Sequence, residues 1–125
     1  MSTAFYWFKN YETIEENYGM CGTFYNINFL DGGETSHSVG NYLPIQKLLR
    51  ENFDTQIPYI STSMVDTDNI EKYLDTRLIN PKDMLYMMEF LLRKYTNEEL
   101  SDLQDRVELF RDLSKEGYYI AYDSF

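Results

Sequence analysis

A chain of 125 residues is the size of one domain, and its 12 Tyr and 8 Phe supply the aromatic surface that disordered chains lack. Twenty-one acids against 11 Lys and Arg leave a net charge of −10, which repels nucleic acid and anionic membranes and attracts basic proteins. One Cys allows no internal disulfide, the longest apolar runs are far too short to span a bilayer, and no leader-like pattern opens the chain, so a cytoplasmic home is expected.

Ala4-Phe5-Tyr6-Trp7-Phe8 is aromatic at both alternating sets of positions, which predicts a strand covered on both faces, with Trp7 largely enclosed. Tyr11 to Tyr18 reads as acidic and irregular, closed by Gly19. Thr23 to Leu30, a turn at Asp31-Gly32-Gly33, and Glu34 to Val39 predict a β-hairpin. With Leu30 opposite Glu34, one face carries Tyr25, Ile27, Phe29, Thr35, His37 and Val39, and the other Asn26, Asn28, Ser36 and Ser38. Asn41 to Phe53 follows as a short helix with Ile45, Leu48 and Leu49 inward. Ile57 to Met64 reads as a short strand, which Pro58 places at an edge or a strand start.

The rest is mainly helical. Asp68 with Glu71 forms a capping-box-like start for a helix burying Ile70, Tyr73, Leu74 and Leu78. Asn80-Pro81 opens a helix to about Tyr95, because Pro suits the first turn, and Met84, Leu85, Met88, Leu91 and Leu92 face inward. Thr96 and Glu99 cap a long helix to about Lys115, which Gly117 stops. Tyr118 to Tyr122 is apolar on both faces and fits beside the first strand, with Tyr119 in the sheet core. The expected fold is α+β in a single domain: a small mixed or antiparallel sheet with an N-terminal hairpin, covered by three to four helices from the C-terminal half.

Chemistry-bearing motifs are sparse. Gly32-Gly33 is isolated and no Lys-Ser/Thr follows it, so no nucleotide-binding loop is expected. One Cys and one His cannot build a zinc site alone. The hairpin register holds His37 opposite Ile27 and away from Cys21, which leaves Cys21 as a small apolar filler and not half of a nucleophilic dyad. Asp66-Thr67-Asp68 is the one metal-like fragment. With a distant acid, Asp66 and Asp68 would hold a hard cation such as Mg²⁺ and make a metal-dependent enzyme. Capping by Asp68 is the preferred reading, so no metal or cofactor is expected. Glu12, Glu15 and Glu16 read as a solvated cluster.

The last helix carries the strongest constellation. At about 100° per residue, Glu98, Asp102, Asp105, Asp112 and Glu116 fall within about 40° of one line, with Leu109 near its middle. Leu100, Leu103, Val107 and Phe110 lie opposite, and Arg106, Arg111 and Lys115 flank the line. An apolar residue inside a charged ring suits an interface anchor, although a solvated helix face would show the same charges. Asp68, Glu71 and Asp75 repeat the pattern on the preceding capped helix. The stripe offers about one carboxylate per 5 Å, too sparse on one helix to imitate duplex DNA at one charge per roughly 1.7 Å.

The expected function is that of an acidic inhibitor or antidote. Its partner would be a basic protein, a nucleic-acid-binding enzyme whose surface it caps, as in toxin immunity or a phage block on a host anti-invader nuclease (anti-CRISPR or anti-restriction). No direct nucleic-acid or membrane binding is expected. Two alternatives stand beside it: the metal-dependent enzyme using Asp66 and Asp68, and an adaptor domain that packs Asn26, Asn28, Ser36 and Ser38 in an oligomer.

Overall fold

The structure is a computed structural model that describes residues 3–35, 43–67 and 69–124. Its first feature is a long antiparallel ribbon. Strands β1 (Thr3–Phe8) and β2 (Asn10–Asn17) run out almost without interruption, and β3 (Thr23–Leu30) and β4 (Gly33–Glu34) run back along them. One register serves throughout: Asn17 faces Thr23, Asn10 faces Leu30, Trp7 faces Gly33 and Tyr6 faces Glu34. The ribbon bends at Lys9, whose N–H reaches the Leu30 carbonyl at 3.2 Å. The turn lies at Tyr18–Gly22, where Gly19 and Gly22 take φ of 65° and 95° that side chains resist.

This corrects the expected hairpin. The partner of β3 is Asn10–Asn17, the segment that reads as irregular, and Glu34 pairs instead with Tyr6 of β1; Ser36, His37, Ser38 and Val39 lie outside the described residues. Glu and Asn have low strand propensity, and β2 shows no apolar alternation because residues 12–15 are exposed on both faces. Gly32 is not a hairpin turn residue either. A Cβ there would stand 1.7 Å from the Trp7 carbonyl oxygen, so the glycine marks where the two arms of the ribbon touch. Cys21 is exposed at the tip and fills no core.

Strand β5 (Tyr119–Ser124) lies antiparallel beside β1, with Phe5 facing Tyr122 and Phe8 facing Tyr119, as their shared two-faced apolar pattern predicts. Apolar clusters cover both sides of this pair. On one side Phe5 and Ile120 pack with Ile45 and Leu49 of α1 (Leu43–Phe53), Met84, Met88 and Leu91 of α3 (Pro81–Lys94), and Val107 and Phe110 of α5 (Gln104–Lys115). On the other, Phe8 and Ala121 pack with Ile27, Ile60, Val65 and Leu74 of α2 (Ile70–Asp75). Phe8 stacks on Phe29 with ring centroids 3.9 Å apart. Trp7 and Tyr119 are half-buried rather than enclosed, for they sit at the margins of these clusters.

The expected strand Ile57 to Met64 is an irregular connector that forms only isolated bridges. Ile60 N–H donates to the Tyr122 carbonyl (2.9 Å) and Tyr122 N–H to the Pro58 carbonyl (3.0 Å). On its other side Ile27 N–H donates to the Thr62 carbonyl (2.8 Å), while Tyr25 and Val65 exchange bonds of 3.0 and 2.8 Å. The connector thus fills the gap between β5 and β3. Pro58 has no N–H and Met64 takes a φ of 52°, so a regular ladder cannot form. Buried Asp123 of β5 accepts the Thr62 N–H at 3.2 Å and the Thr62 hydroxyl, tying the connector down.

Two helix starts follow the sequence. Asn80 caps α3 at Lys82 N–H (2.8 Å) with Pro81 in the first turn, and both arms of the Thr96–Glu99 capping box are made. Two features differ. The cap of α2 is Asn69, whose side chain accepts the Lys72 N–H at 3.0 Å, one residue beyond Asp68, which lies outside the described residues. Asn69→Ala should therefore lower stability by about 0.5–2 kcal/mol in urea unfolding, while Asn69→Asp, which still caps, should cost far less. The last helix is also not one rod. It divides into α4 (Asn97–Leu100) and α5 around Ser101, whose φ is 50°. Ser and Asp favour turns over helix interiors, and Ser101-Asp102 uses that preference to let Leu100 and Val107 both reach the core.

Candidate functional site

Helix α5 presents the face that the 3.6-residue period demands. Val107, Phe110 and Ser114 are buried, while Asp105, Leu109, Asp112 and Glu116 are exposed. Asp102, on the short turn Ser101–Leu103 that leads into α5, is exposed as well. Leu109 stands at 37% exposure among these acids. Basic side chains crowd one margin: Arg111 Nε bonds Asp112 Oδ1 at 2.9 Å, and Lys115 and Arg93 share a shallow depression with both. Arg106 donates to the Asp102 backbone carbonyl at 2.7 Å. The ring around Leu109 is therefore acidic but partly balanced.

The remaining expected residues lie elsewhere. Glu98 is exposed on α4, and the break at Ser101 takes it off the α5 line. Glu71 and Asp75 are exposed on α2, which packs on the opposite side of the β1–β5 pair from α5. Their charge falls on the ribbon: the Tyr11 hydroxyl is held above its ordinary pKa by burial first, then by Glu71 and Asp75. Asp66 is exposed, and among the described residues no three His, Cys, Asp or Glu side chains gather to hold a metal ion. No helix among them is long and apolar enough to cross a membrane.

The ribbon itself escaped the sequence reading. Between Lys9 and Lys47 there is no Lys or Arg, whereas Glu12, Glu15, Glu16, Asp31 and Glu34 place half of the net −10 there. On its outer face Glu12, Ile14 and Glu16 follow one another, with Asn28 donating to Glu12 at 2.8 Å and Asn26 to Glu16 at 3.0 Å. Ile14, Tyr18 and Met20 are exposed along the same arm and its tip, and Met64 joins them through its N–H bond to Asn26 Oδ1 (3.0 Å). The signal that could have revealed this was the gathering of five acids in a stretch free of cations.

Comparison with family models, with curated proteins and with solved structures gives no match.

Proposed function

We propose that this chain is an acidic protein-binding domain, an inhibitor or antidote that caps the basic working surface of a nucleic-acid enzyme. The observation that supports the reading is the α5 face, where Asp102, Asp105, Asp112 and Glu116 surround exposed Leu109 on a helix anchored to the core by Val107 and Phe110. The acids steer a cationic surface toward the helix, and Leu109 adds contact energy once water has been excluded. A rigid helix with its inner face fully packed docks without having to order itself first.

The first test is a pull-down from the native host at low salt, which should recover a basic nucleic-acid-binding protein. Kinetics against that protein then separate the two roles. Reversing Asp102 and Asp105 to Lys should slow association by about tenfold and flatten its salt dependence. Leu109→Ala should act on dissociation, raising its rate by about tenfold with little change in salt slope. Both variants should unfold within about 0.5 kcal/mol of the parent, since exposed charges and exposed apolar groups contribute little to stability. Wild-type kinetics in the charge reversal would reduce the face to a solvated helix surface.

A further inference from the structure

The outer edge of β2 has its own logic, independent of α5. In an antiparallel ladder, directly opposed residues either bond one another or turn their N–H and C=O groups away. Tyr25 exchanges both of its backbone bonds with Val65, and Ile27 gives its N–H to Thr62. The pairs Glu15·Tyr25 and Thr13·Ile27 are therefore the non-bonded kind. Thr13 and Glu15 consequently point their N–H and C=O groups outward, and both residues are exposed. The edge is kept open at its centre: Tyr11 N–H, at one end, is taken by Asn10 Oδ1 (2.9 Å), and no comparable side-chain cap covers Thr13 or Glu15 among the described residues.

Charge decides what can pair there. If a second copy of β2 lay antiparallel across this edge about Ile14, Glu12 would oppose Glu16 and Thr13 would oppose Glu15. Like charges facing across strands are destabilising, so the sequence guards against self-pairing. The same residues favour a cationic strand: with no Lys or Arg between Lys9 and Lys47, Glu12 and Glu16 are held only by neutral donors, Asn28 on the first and Asn26 and Tyr18 on the second, which leave their charge unbalanced. Ile14, 50% exposed between Glu12 and Glu16, offers an apolar contact at the centre.

We propose that the β2 edge is a docking strand for an extended cationic segment of another protein. That segment adds to the ribbon by backbone hydrogen bonds to Thr13 and Glu15, sets an apolar side chain beside Ile14, and carries Lys or Arg two places to either side, beside Glu12 and Glu16. Main-chain bonds hold it, and the alternating side chains select it.

The probe is a synthetic peptide with lysines two places on either side of a valine, compared with a scrambled peptide of the same composition. Hydrogen exchange followed by NMR should show the Thr13 and Glu15 amides protected by the patterned peptide, which should bind at least about tenfold more tightly than the scrambled one. Thr13→Pro removes one outward donor and leaves the ladder to β3 untouched, because proline is tolerated on an edge whose N–H faces solvent. It should abolish the preference for the patterned peptide. Ile14→Lys, a change at an exposed position, should do the same by replacing the central apolar contact with a cation. Equal binding of both peptides, or no protection of the two amides, overturns the proposal and leaves the acids as guards of a bare edge. A chain that dimerises through this edge, with the dimer lost in Thr13→Pro, overturns it in favour of a second copy. The α5 reading survives any of these outcomes, since its variants lie on the other side of the sheet.

Discussion

Gly32→Ala should lower stability by about 2–3 kcal/mol, visible as a shift of the urea midpoint at unchanged slope, and should be among the most damaging single-methyl additions in the chain. The added methyl would run into the Trp7–Phe8 peptide unit: the Trp7 carbonyl oxygen at 1.7 Å, its carbon at 2.6 Å and the Phe8 Cα at 2.9 Å. Backbone cannot swing aside as a side chain does, so the two arms of the ribbon must separate at its bend. Gly33→Ala is the control. The nearest atoms to its methyl would be those of the Trp7 ring, at 2.8–3.1 Å, and a half-buried ring can move. Gly22→Ala meets nothing within 4 Å, and its cost is the strain of a backbone at φ 95° and ψ −169°, a conformation essentially confined to glycine, about 1–3 kcal/mol. The order Gly32 above Gly22 and Gly33 belongs to a ribbon that closes tightly on itself. If Gly33→Ala proved the most damaging of the three, the close approach would lie elsewhere.

Gln46→Leu should be at least as severe. The Gln46 side chain is 4% exposed and makes a two-way bond with one residue of the connector, accepting the Ile57 N–H at 2.7 Å and donating to the Ile57 carbonyl at 3.0 Å. A carboxamide thus imitates the neighbouring strand that Ile57 lacks. Leucine matches its size and removes both partners, leaving a buried donor and acceptor at about 1–3 kcal/mol each, so a total loss of about 2–4 kcal/mol is expected. Exchange of the Ile57 amide should accelerate together with the drop in stability. A slow Ile57 amide in Gln46→Leu would mean that another group supports the connector.

These two residues also show which parts of the fold were legible in the sequence. Strands β1 and β5 could be read because each carries apolar residues on both faces, a pattern that only a covered strand explains. The start of α3 and the Thr96–Glu99 box could be read because capping is local chemistry, settled within four residues. Strand β2 could not. Its register comes from β3 and its length from the ribbon, and Glu12, Glu15 and Asn17 say nothing of either on their own. Asp31-Gly32-Gly33 looked like a turn because a glycine needed for closeness and a glycine needed for φ look the same in a sequence. Asn69 displaced Asp68 as cap because the two are equally able to accept an N–H, and only the chain path chooses between them. The same limit applies to the candidate sites: the α5 face followed from periodicity, whereas the open edge of β2 depends on bonds made by Tyr25 and Ile27 to a connector far along the chain.

The pairing of β1 with β5 bears on how the molecule is made. Phe8 meets Tyr119 and Thr3 meets Ser124, so the strand at the centre of the sheet is completed by residues that leave the ribosome after α1 to α5. Until then β1 holds its β4 neighbour on one side and a bare apolar edge on the other, the kind of surface that chaperones bind and that aggregates grow from. Contacts that close most of the chain also form slowly, because the loop entropy is lost before they contribute. Translation should therefore yield helices and a hinged ribbon first, with the cooperative core arriving only once β5 has emerged.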